Sequence, residues 1–467
     1  MVTDSYELVV IGAGSAGLVA AGFAGKLGTR VLLVEGARIG GDCTWTGCIP
    51  SKALLHVART AHLARSAARL GLPPWEGQVE LGRVMSYVRA AVERVYAFET
   101  PEQLRAAGVE VCLGQARFLD PNTLDVDGLQ VKAERFLICT GAEPVVPAIP
   151  GLNEVPYLTY ENAFSLEELP QRLLVLGAGP VGVELAQAFS RLGSKVILVE
   201  AADRILTVAE PEASELLTGV LREEEIQVRT GTALLSAARV KTGIAAQLSS
   251  GGVEVDAVLL AAGRKPRLDG LGLERAGIEF EETGIKVDSN LRTRQDHIYA
   301  AGDVVGSFQF THYAAWQGYI AARNALLPGR SQGVLDTVPW TVFTDPAVAQ
   351  AGFSEAQARA EGWQVQVHRW PMERIDRAQT EDRLRGFIKL IARDGKVVGA
   401  TVVGGEAGEV INLLALAIEH RISLADLART IHTYPTYSFG VQHLASQASL
   451  AGLLGGVRGR VIKAMAR

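Results

Sequence analysis

The sequence predicts an α/β protein of three domains, two of which repeat one strand–helix–strand unit. The motif GxGxxG occurs at 12–17 and again at 177–182, each time after a short apolar strand and before an apolar-periodic helix. From about residue 338, short alternating segments mix with helical stretches, which is typical of a separate α+β domain. Because a chain of 467 residues is too long for one compact core, several domains are expected.

In the first repeat, the predicted strand 8–11 runs into Gly12, Gly14 and Gly17, and a second apolar strand ends at Glu35. The first glycine permits a tight turn, the second lets the backbone approach a pyrophosphate, and the third lets helix and strand pack closely. The helix N-terminus offers free N–H groups to phosphates, and the acid accepts from a ribose hydroxyl. This repeat therefore predicts a dinucleotide site.

The second repeat has the same layout with Gly177, Gly179 and Gly182. Its second strand ends at Glu200, the same number of positions after the first glycine as in the first repeat. Two Rossmann-like dinucleotide-binding domains in one chain favour two dinucleotides, and a flavin with a nicotinamide cofactor is the economical interpretation.

Proline- and glycine-rich crossings at 140–151 and 261–266 indicate where the domains meet. The predicted domains are a flavin-binding domain at 1–150 continued by 271–335, a nicotinamide-binding domain at 151–270 and a C-terminal domain at 338–467. In the last domain the pattern predicts strands at 386–391 and 397–403 and helices at 410–420 and 424–431.

Composition excludes several classes of partner. The net charge is only −5 with no long run of one sign, so neither a nucleic-acid surface nor a basic membrane-binding face is expected. No apolar run approaches the roughly 18 residues that a membrane span needs, and residues 1–5 lead at once into a strand without a targeting pattern. A soluble cytoplasmic protein without membrane or nucleic-acid partners is expected.

Of the four cysteines, only Cys43 and Cys48 are close in sequence. Cys112 and Cys139 stand in strand-like apolar contexts and are predicted to be small core residues. The C-x4-C spacing of the close pair does not suit a structural zinc site, so no metal site is predicted. An accidental pair of buried thiols is the other alternative to a reactive pair.

Geometry favours a redox-active disulfide between Cys43 and Cys48. Five residues of regular helix rise about 7.5 Å, beyond the usual Cα–Cα reach of about 4.4–6.8 Å for a disulfide. The segment must therefore be distorted, with Gly47 supplying freedom and Pro50 restarting a helix that has Cys48 at its N-terminus. There the backbone N–H groups and Lys52 favour a thiolate, which suits a labile disulfide.

Together these stretches resemble the class I pyridine nucleotide-disulfide oxidoreductases, the class containing dihydrolipoyl dehydrogenase, glutathione reductase and mercuric reductase. The matching stretches run in order along the whole chain: both GxGxxG motifs, the C-x4-C segment, Thr140-Gly141-Ala142, Gly263-Arg264-x-Pro266, Ala301-Gly302-Asp303 and a C-terminal dimerisation domain. The mercuric-reductase-like and dihydrolipoyl-dehydrogenase-like members are the most similar subgroup. The resemblance implies a homodimer that uses FAD and NAD(P)H.

The resemblance also implies roles for individual residues. Contacts to FAD are expected from Gly12, Gly14, Gly17, Glu35 and Asp303, the last on the ribitol; contacts to NAD(P) from Gly177, Gly179, Gly182 and Glu200; and further cofactor contacts from Thr140, Gly141 and Gly263. Lys52 and Glu184 resemble the pair beside the isoalloxazine. Cys48 is then the charge-transfer thiol and Cys43 the interchange thiol that meets the acceptor.

One element of the C-terminal domain departs from the family. Dihydrolipoyl dehydrogenases and glutathione reductases carry His-Pro-Thr-x-x-Glu, whose histidine acts as a base across the dimer, whereas this chain has Tyr434 and Phe439 at the two outer positions. Tyrosine has a reference pKa of about 10 against about 6.5 for histidine, so it does not replace that base at neutral pH without a large shift. His432 is a candidate substitute base, but on a helix its spacing from Tyr434 points its side chain elsewhere.

Tyrosine in this region and the segment 376–380 resemble the mercuric reductases. Those enzymes end in a vicinal cysteine pair, whereas this sequence ends in Ile462–Arg467 without one, so any Hg(II) must enter by another route. The predicted acceptor is a thiophilic metal ion or a small disulfide. Dihydrolipoyl dehydrogenase of a 2-oxoacid complex and a low-turnover flavoprotein redox sensor are the alternatives.

The end of the second repeat favours NADH over NADPH. Glu200 should accept from a free ribose 2′-hydroxyl and repel a 2′-phosphate, and Ala201 and Ala202 bring no positive charge. Arg204 is close enough in sequence to weaken this preference.

Overall fold

The computed structural model describes residues 5–306, 308–454 and 465. The C-terminal residues quoted above, except Met465, lie outside this part of the chain. Two compact units are present: unit 1 comprises Met1–Val199 and Thr232–Asp336, and unit 2 comprises Glu200–Gly231 and Thr337–Arg467. The finer domain boundaries inferred from the sequence stay predictions.

The helices of the described residues are, in chain order, α1 (Ser15–Lys26), α2 (Gly41–Trp45), α3 (Cys48–Arg65), α4 (Leu81–Tyr96), α5 (Pro101–Ala106), α6 (Pro180–Leu192), α7 (Pro211–Glu223), α8 (Thr311–Leu326), α9 (Glu355–Ala360), α10 (Asp376–Thr380), α11 (Ala407–Glu419), α12 (Leu424–Arg429) and α13 (Phe439–Leu454).

The strands of the same residues are β1 (Leu8–Ile11), β2 (Val31–Glu35), β3 (Val109–Leu113), β4 (Ala116–Asp120), β5 (Thr123–Val126), β6 (Leu129–Lys132), β7 (Phe136–Ile138), β8 (Ala142–Pro144), β9 (Tyr157–Leu158), β10 (Arg172–Leu176), β11 (Lys195–Val199), β12 (Gln227–Arg229), β13 (Leu234–Val240), β14 (Gly243–Leu248), β15 (Gly251–Val255), β16 (Ala257–Leu260), β17 (Arg264–Pro266), β18 (Phe280–Glu281), β19 (Gly284–Ile285), β20 (Ile298–Ala300), β21 (Trp340–Val342), β22 (Ala347–Gly352), β23 (Gln366–Pro371), β24 (Phe387–Arg393) and β25 (Lys396–Gly404).

Unit 1 contains two parallel sheets. The first has the order β20-β7-β1-β2-β3, with β1 paired in parallel to both β2 and β7. In the second, β10 pairs in parallel with β11 and with β16, which pairs with β9. The apolar strand β1 is buried because α1 and α8 cover one face of its sheet, against Leu8 and Val10, while β4, β5 and β6 cover the other face. In the second sheet, β10 packs against β13, β14 and β15.

Close packing of α1 against α8 brings the start of α8 to the first glycine turn. The helix α1 faces inward with a row of small residues, of which Ala16, Ala20 and Ala24 are buried. Opposite it, a Cβ on Gly318 of α8 would lie 2.1 Å from the carbonyl oxygen of Ala16, so only glycine permits this approach.

Unit 2 is built on an antiparallel sheet of order β21-β22-β25-β24-β23. Its apolar core joins residues of this sheet to residues of α11, α12 and α13. The predicted strands and helices of this domain are present, shifted at their ends by a few residues. The expectation of an α/β protein with two Rossmann-like domains and a C-terminal α+β domain is thereby confirmed.

Within the described residues, no helix has both the length and the apolar character needed to cross a bilayer.

Candidate active site

The first glycine turn has no room for a side chain at its first and third glycines. Gly12 has φ +100°, and a Cβ there would lie 2.4 Å from the carbonyl oxygen of Cys139, while a Cβ on Gly17 would lie 1.8 Å from that of Gly12. Gly14 is the N-cap of α1, whose described first turn has neither a side-chain cap nor an acidic residue. The N–H groups of this turn therefore suit a pyrophosphate.

Glu35 reaches the same turn from the end of β2. Its carboxylate accepts hydrogen bonds from the backbone N–H of Ala13 at 2.6 Å and of Ala37 at 2.7 Å. These two bonds fix the acid beside the turn, where a ribose would require it.

The second turn repeats this geometry. Gly177 has φ +99° with its hypothetical Cβ 2.4 Å from the carbonyl oxygen of Ala261, and a Cβ on Gly182 would lie 1.9 Å from that of Gly177. Gly179 is the N-cap of α6, again with no acidic residue in the described first turn. Both turns therefore fit a dinucleotide.

Glu200 and Arg204 belong to unit 2 and are held by their own loop. The Glu200 carboxylate accepts from the backbone N–H of Ala202 at 3.0 Å. The Arg204 guanidinium donates to the carbonyl oxygens of Ala209 at 2.9 Å and Thr207 at 2.7 Å. Arg204 is thus engaged with backbone carbonyls of the loop that follows it.

The cysteine segment is broken between two helices, as its spacing predicts. Cys43 lies on α2, and Cys48 is the first residue of α3, with Pro50 in its first turn. Gly47 occupies the break, where a Cβ would come 2.7 Å from the carbonyl oxygen of Asp42. Both cysteines are half-buried thiols.

The two thiols have opposite acidities. The pKa of Cys48 is lowered to about 6, first by its hydrogen bond with Cys43 and further by the Thr311 hydroxyl and the charge of Lys52, against the effect of burial. The pKa of Cys43 is raised by the same hydrogen bond and by burial. One proton therefore stays on Cys43 while Cys48 is a thiolate at neutral pH.

Thr311 is a site residue that the sequence analysis missed. It is the first residue of α8, and its Oγ1 lies 3.1 Å from Cys48 Sγ. Because the two residues are far apart in sequence, tertiary packing of α8, and not local spacing, brings Thr311 to Cys48. The N-termini of α3 and α8 thus both meet at Cys48, and each favours negative charge there.

Lys52 and Glu184 meet as the resemblance implies. Lys52 Nζ lies 2.8 Å from Glu184 Oε2, and the glutamate is buried at 5% exposure. The lysine belongs to α3 and the glutamate to α6, so this ion pair links the thiol helix to the helix of the second glycine turn.

The remaining predicted cofactor residues follow the ends of strands. Thr140 and Gly141 follow β7, and the Thr140 hydroxyl donates to the carbonyl oxygen of Arg267 at 3.0 Å. Gly263 has φ +116° just before β17. Asp303 follows β20 and is paired with Arg264, whose Nη1 lies 2.7 Å from Asp303 Oδ2.

The tyrosine element of unit 2 is a loop. Tyr434 is joined to Pro435 by a cis peptide bond and is 64% exposed. Its ring packs edge-on against Phe439 with centroids 5.4 Å apart, and a hydrogen bond with Asp376 raises the pKa of Tyr434. The hydroxyl therefore stays protonated at neutral pH.

The helical spacing assumed for His432 is wrong, because α12 ends at Arg429 and the following residues form a loop. His432 Nδ1 lies 3.0 Å from the carbonyl oxygen of Ser438 within that loop.

The other two cysteines lie in the first sheet. Cys139 is buried directly after β7, as predicted, whereas Cys112 in β3 is half-buried rather than fully within the core. Burial raises the pKa of both thiols. Among the described residues, no group of three or more His, Cys, Asp or Glu side chains is placed to hold a metal ion.

Comparison with known proteins matches nearly the whole chain. Residues 6–318 match the family described as pyridine nucleotide-disulphide oxidoreductase, and residues 338–445 match its dimerisation domain. The mercuric reductase of Bacillus cereus is 36% identical over 445 residues, covering 94% of this chain and 70% of that protein. The dihydrolipoyl dehydrogenase of Thermus scotoductus is 37% identical over 452 residues, covering 94% and 97%.

Among solved structures, the HOCl-induced flavoprotein disulfide reductase RclA from Escherichia coli superposes with a TM-score of 0.86 at 30% identity, covering 94% of this chain and 99% of that one. RclA has also been solved as a Cu(II) complex.

Proposed function

The chain belongs to the pyridine nucleotide-disulphide oxidoreductase family, whose members use FAD and NAD(P)H, and we propose that it passes electrons from NAD(P)H through FAD to Cys43 and Cys48 and on to a thiophilic acceptor. The observation that carries this proposal is the setting of the two neighbouring thiols, with Thr311 Oγ1 3.1 Å from Cys48 Sγ and with Lys52, the ion-pair partner of Glu184, on the same helix as Cys48. A pair with one thiolate and one protonated thiol suits a redox disulfide in its reduced form.

FAD fits the first glycine turn and the acids beside it. The residues that would hold it are Gly12, Gly14, Gly17, Glu35, Thr140, Gly141, Gly263 and Asp303. When bound, FAD supplies two-electron chemistry, accepting a hydride from the nicotinamide and returning two electrons to a disulfide. The second turn, with Gly177, Gly179, Gly182 and Glu200, would hold the nicotinamide cofactor.

The protein's own residues stabilise the negative charge that forms on the thiols. Opening the Cys43–Cys48 disulfide takes up two electrons and one proton and breaks the S–S bond, leaving Cys48 as a thiolate and the proton on Cys43. Thr311 donates to the new negative charge, and Lys52 stabilises it through space. Glu184 holds the Lys52 ammonium in place from α6. Cys43 is the thiol that attacks or ligates the acceptor.

Tyr434 favours an acceptor that needs no strong base. Its raised pKa keeps the hydroxyl neutral, so it can donate a hydrogen bond but cannot withdraw a proton as the family histidine does. A soft metal ion lowers the pKa of a thiol that it binds, so its binding releases the Cys43 proton without the help of a strong base. Mercuric reductases among the relatives and the Cu(II) complex of RclA support a thiophilic metal ion as substrate.

NADH is the proposed electron donor. Glu200 would repel a 2′-phosphate, and the Arg204 guanidinium donates its hydrogen bonds to carbonyl oxygens of its own loop. A kcat/KM for NADPH equal to or above that for NADH would contradict this preference.

We further propose that the chain acts as a homodimer through its dimerisation domain and that Tyr434 serves the thiols of the partner subunit. A cytoplasmic location also stays a prediction from the sequence.

The first experiment is anaerobic NADH oxidation by the purified flavoprotein with thiol-complexed Hg(II) as acceptor. Rapid turnover that a Cys43→Ala variant loses would support metal reduction through the pair. No turnover, or equal turnover in the variant, would contradict it.

The alternative activity is that of a dihydrolipoyl dehydrogenase, favoured by the 37% identity to one such enzyme over nearly its full length. The absence of the family histidine and glutamate at Tyr434 and Phe439 counts against it. Rapid dihydrolipoamide oxidation with NAD⁺ would reverse the order of the two proposals.

A further inference from the structure

Arg264 holds two carboxylates from separate segments of unit 1. Its Nη1 lies 2.7 Å from Asp303 Oδ2, and its Nη2 lies 2.9 Å from Asp42 Oδ2. Its Nε donates to the Tyr160 hydroxyl at 3.2 Å, and the guanidinium lies 5.2 Å from the centre of that ring. The guanidinium therefore has partners at both of its ends and on its face.

The two carboxylates lie where FAD is expected. Asp303 follows β20 and corresponds to the family's ribitol acid, while Asp42 lies on α2 immediately before Cys43. The α2 segment approaches the pyrophosphate turn, since a Cβ on Gly41 would come 2.7 Å from the Cα of Gly14. An anionic cofactor in this turn would therefore meet a nearby Asp42.

Charge makes this arrangement unstable without a cation. A carboxylate beside a pyrophosphate repels it, and two acids sharing one partly buried site oppose each other's ionisation. Burial raises the pKa of Asp303, the charge of Arg264 opposes that rise, and the charge of Asp42 adds to it. Arg264 contacts both acids at 2.7–2.9 Å, whereas Arg267 reaches Asp42 at the longer distance of 3.7 Å.

We propose that Arg264 is a positioning residue for FAD: its charge neutralises Asp42 beside the pyrophosphate and keeps Asp303 ionised and oriented toward the ribitol. The inference deepens the proposed function and rests on it for the role of Asp303. It extends to Asp42, a residue that lies outside both GxGxxG motifs and just before the C-x4-C segment.

The test is a double-mutant cycle on FAD binding. Apoprotein of the wild type, Arg264→Gln, Asp42→Asn and the double variant is titrated with FAD, and Kd is read from quenching of flavin fluorescence at low salt. We expect Arg264→Gln to weaken binding by about tenfold or more, equivalent to about 1.4 kcal/mol. In the double variant, Asp42→Asn should restore most of that loss, and added salt should shrink the defect of the single variant.

Two results would overturn the inference. One is a double variant that binds FAD as weakly as Arg264→Gln, since a direct contact with FAD or a purely structural role predicts no rescue. The other is an Arg264→Gln variant that binds like the wild type. If Arg264→Gln does not fold, Arg264→Lys is measured instead: because it keeps the charge, it should bind FAD nearly as tightly as the wild type, and a tenfold loss with Lys would refute the inference.

FAD titration uses neither NADH nor an acceptor, so its outcome is separate from that of the Hg(II) experiment. Thermal unfolding of each apoprotein accompanies the titration. A variant with normal unfolding and weak FAD binding isolates the effect at the site from an effect on the fold.

Discussion

The thiol segment of unit 1 (residues 41–52) keeps the family pattern, the tyrosine loop of unit 2 (residues 432–439) departs from it, and the two are built differently. The thiols are half-buried, with a helix N-terminus and the Lys52 charge around Cys48. Tyr434 is mostly exposed and held by one carboxylate and one ring.

This difference separates two ways of controlling a proton. In the thiol segment, fixed donors lower the pKa of Cys48 below its ordinary value, so the protein sets the charge state itself. In the tyrosine loop, the Asp376 carboxylate raises the pKa of Tyr434 and thereby removes it from acid–base work near neutral pH. Substitutions should accordingly have large effects in the first region and small ones in the second.

The largest effect should come from the thiols themselves. Cys43→Ala should lower acceptor-dependent NADH oxidation by about 10³-fold or more, because it removes the thiol proposed to meet the acceptor. Its two-electron-reduced form should keep the long-wavelength thiolate–flavin absorbance, whereas Cys48→Ala should abolish that band. Absorbance spectra under anaerobic reduction check both variants, and the reverse pattern would exchange the two roles.

The next largest effect concerns the stability of unit 2 and should leave the flavin chemistry of unit 1 unchanged. Lys389 is buried on β24, with Nζ 2.9 Å from Glu355, 3.0 Å from Glu212 and 3.2 Å from Glu210. Lys389→Met would leave three carboxylates facing one another and should destabilise the fold by about 3–5 kcal/mol. Thermal unfolding measures this loss.

A matched control for that variant is Lys286→Met. Lys286 pairs with Glu281 at 2.6 Å, but both side chains are more than half exposed, so its loss should leave the unfolding temperature nearly unchanged. The flavin spectrum of Lys389→Met should stay that of the wild type. A flavin spectrum that differs clearly from that of the wild type would show that the effect of Lys389 is not confined to the stability of unit 2.

Thr311→Val is the third test, and it is expected to change only the pKa of Cys48. Removing the hydroxyl that lies 3.1 Å from Cys48 Sγ should raise the pKa of Cys48 by about 1–2 units, since a hydrogen bond to a charged group contributes about 1.5–3 kcal/mol. In the wild type the thiolate–flavin band should fade as the pH drops through about 6, and in the variant it should fade at higher pH.

Thr311→Ser keeps the hydroxyl and should titrate like the wild type. If the Val and Ser variants titrate together, the acidity of Cys48 comes from Cys43 and Lys52 without the help of α8.

Sequence predicted the parts of the site that local pattern encodes. The glycines of each turn, the break at Gly47 and the start of α3 at Cys48 follow from spacing, because backbone geometry within a few residues requires those residue types. The partners of Cys48 and Asp42 do not follow: Thr311 is 263 positions from Cys48, and Arg264 is 222 from Asp42. Such contacts depend on how helices pack over the sheets. The loop around His432 was missed because the local pattern itself misled: the apolar periodicity predicted a helix to residue 431, whereas α12 ends at Arg429.

The smallest effect should come from Tyr434→Phe. Because the Tyr434 hydroxyl stays protonated at neutral pH, its removal deletes one hydrogen-bond donor and no base, so kcat with Hg(II) should fall by less than about tenfold. The acidic limb of the pH–rate profile, which follows Cys48, should stay where it is in the wild type. Tyr434→His supplies the informative contrast, because histidine titrates near neutral pH and should raise dihydrolipoamide turnover while Phe does not. A loss of about 10³-fold on Tyr434→Phe would instead make the exposed loop as essential as the thiols, and the contrast between fixed acidity and a neutral donor would no longer describe this enzyme.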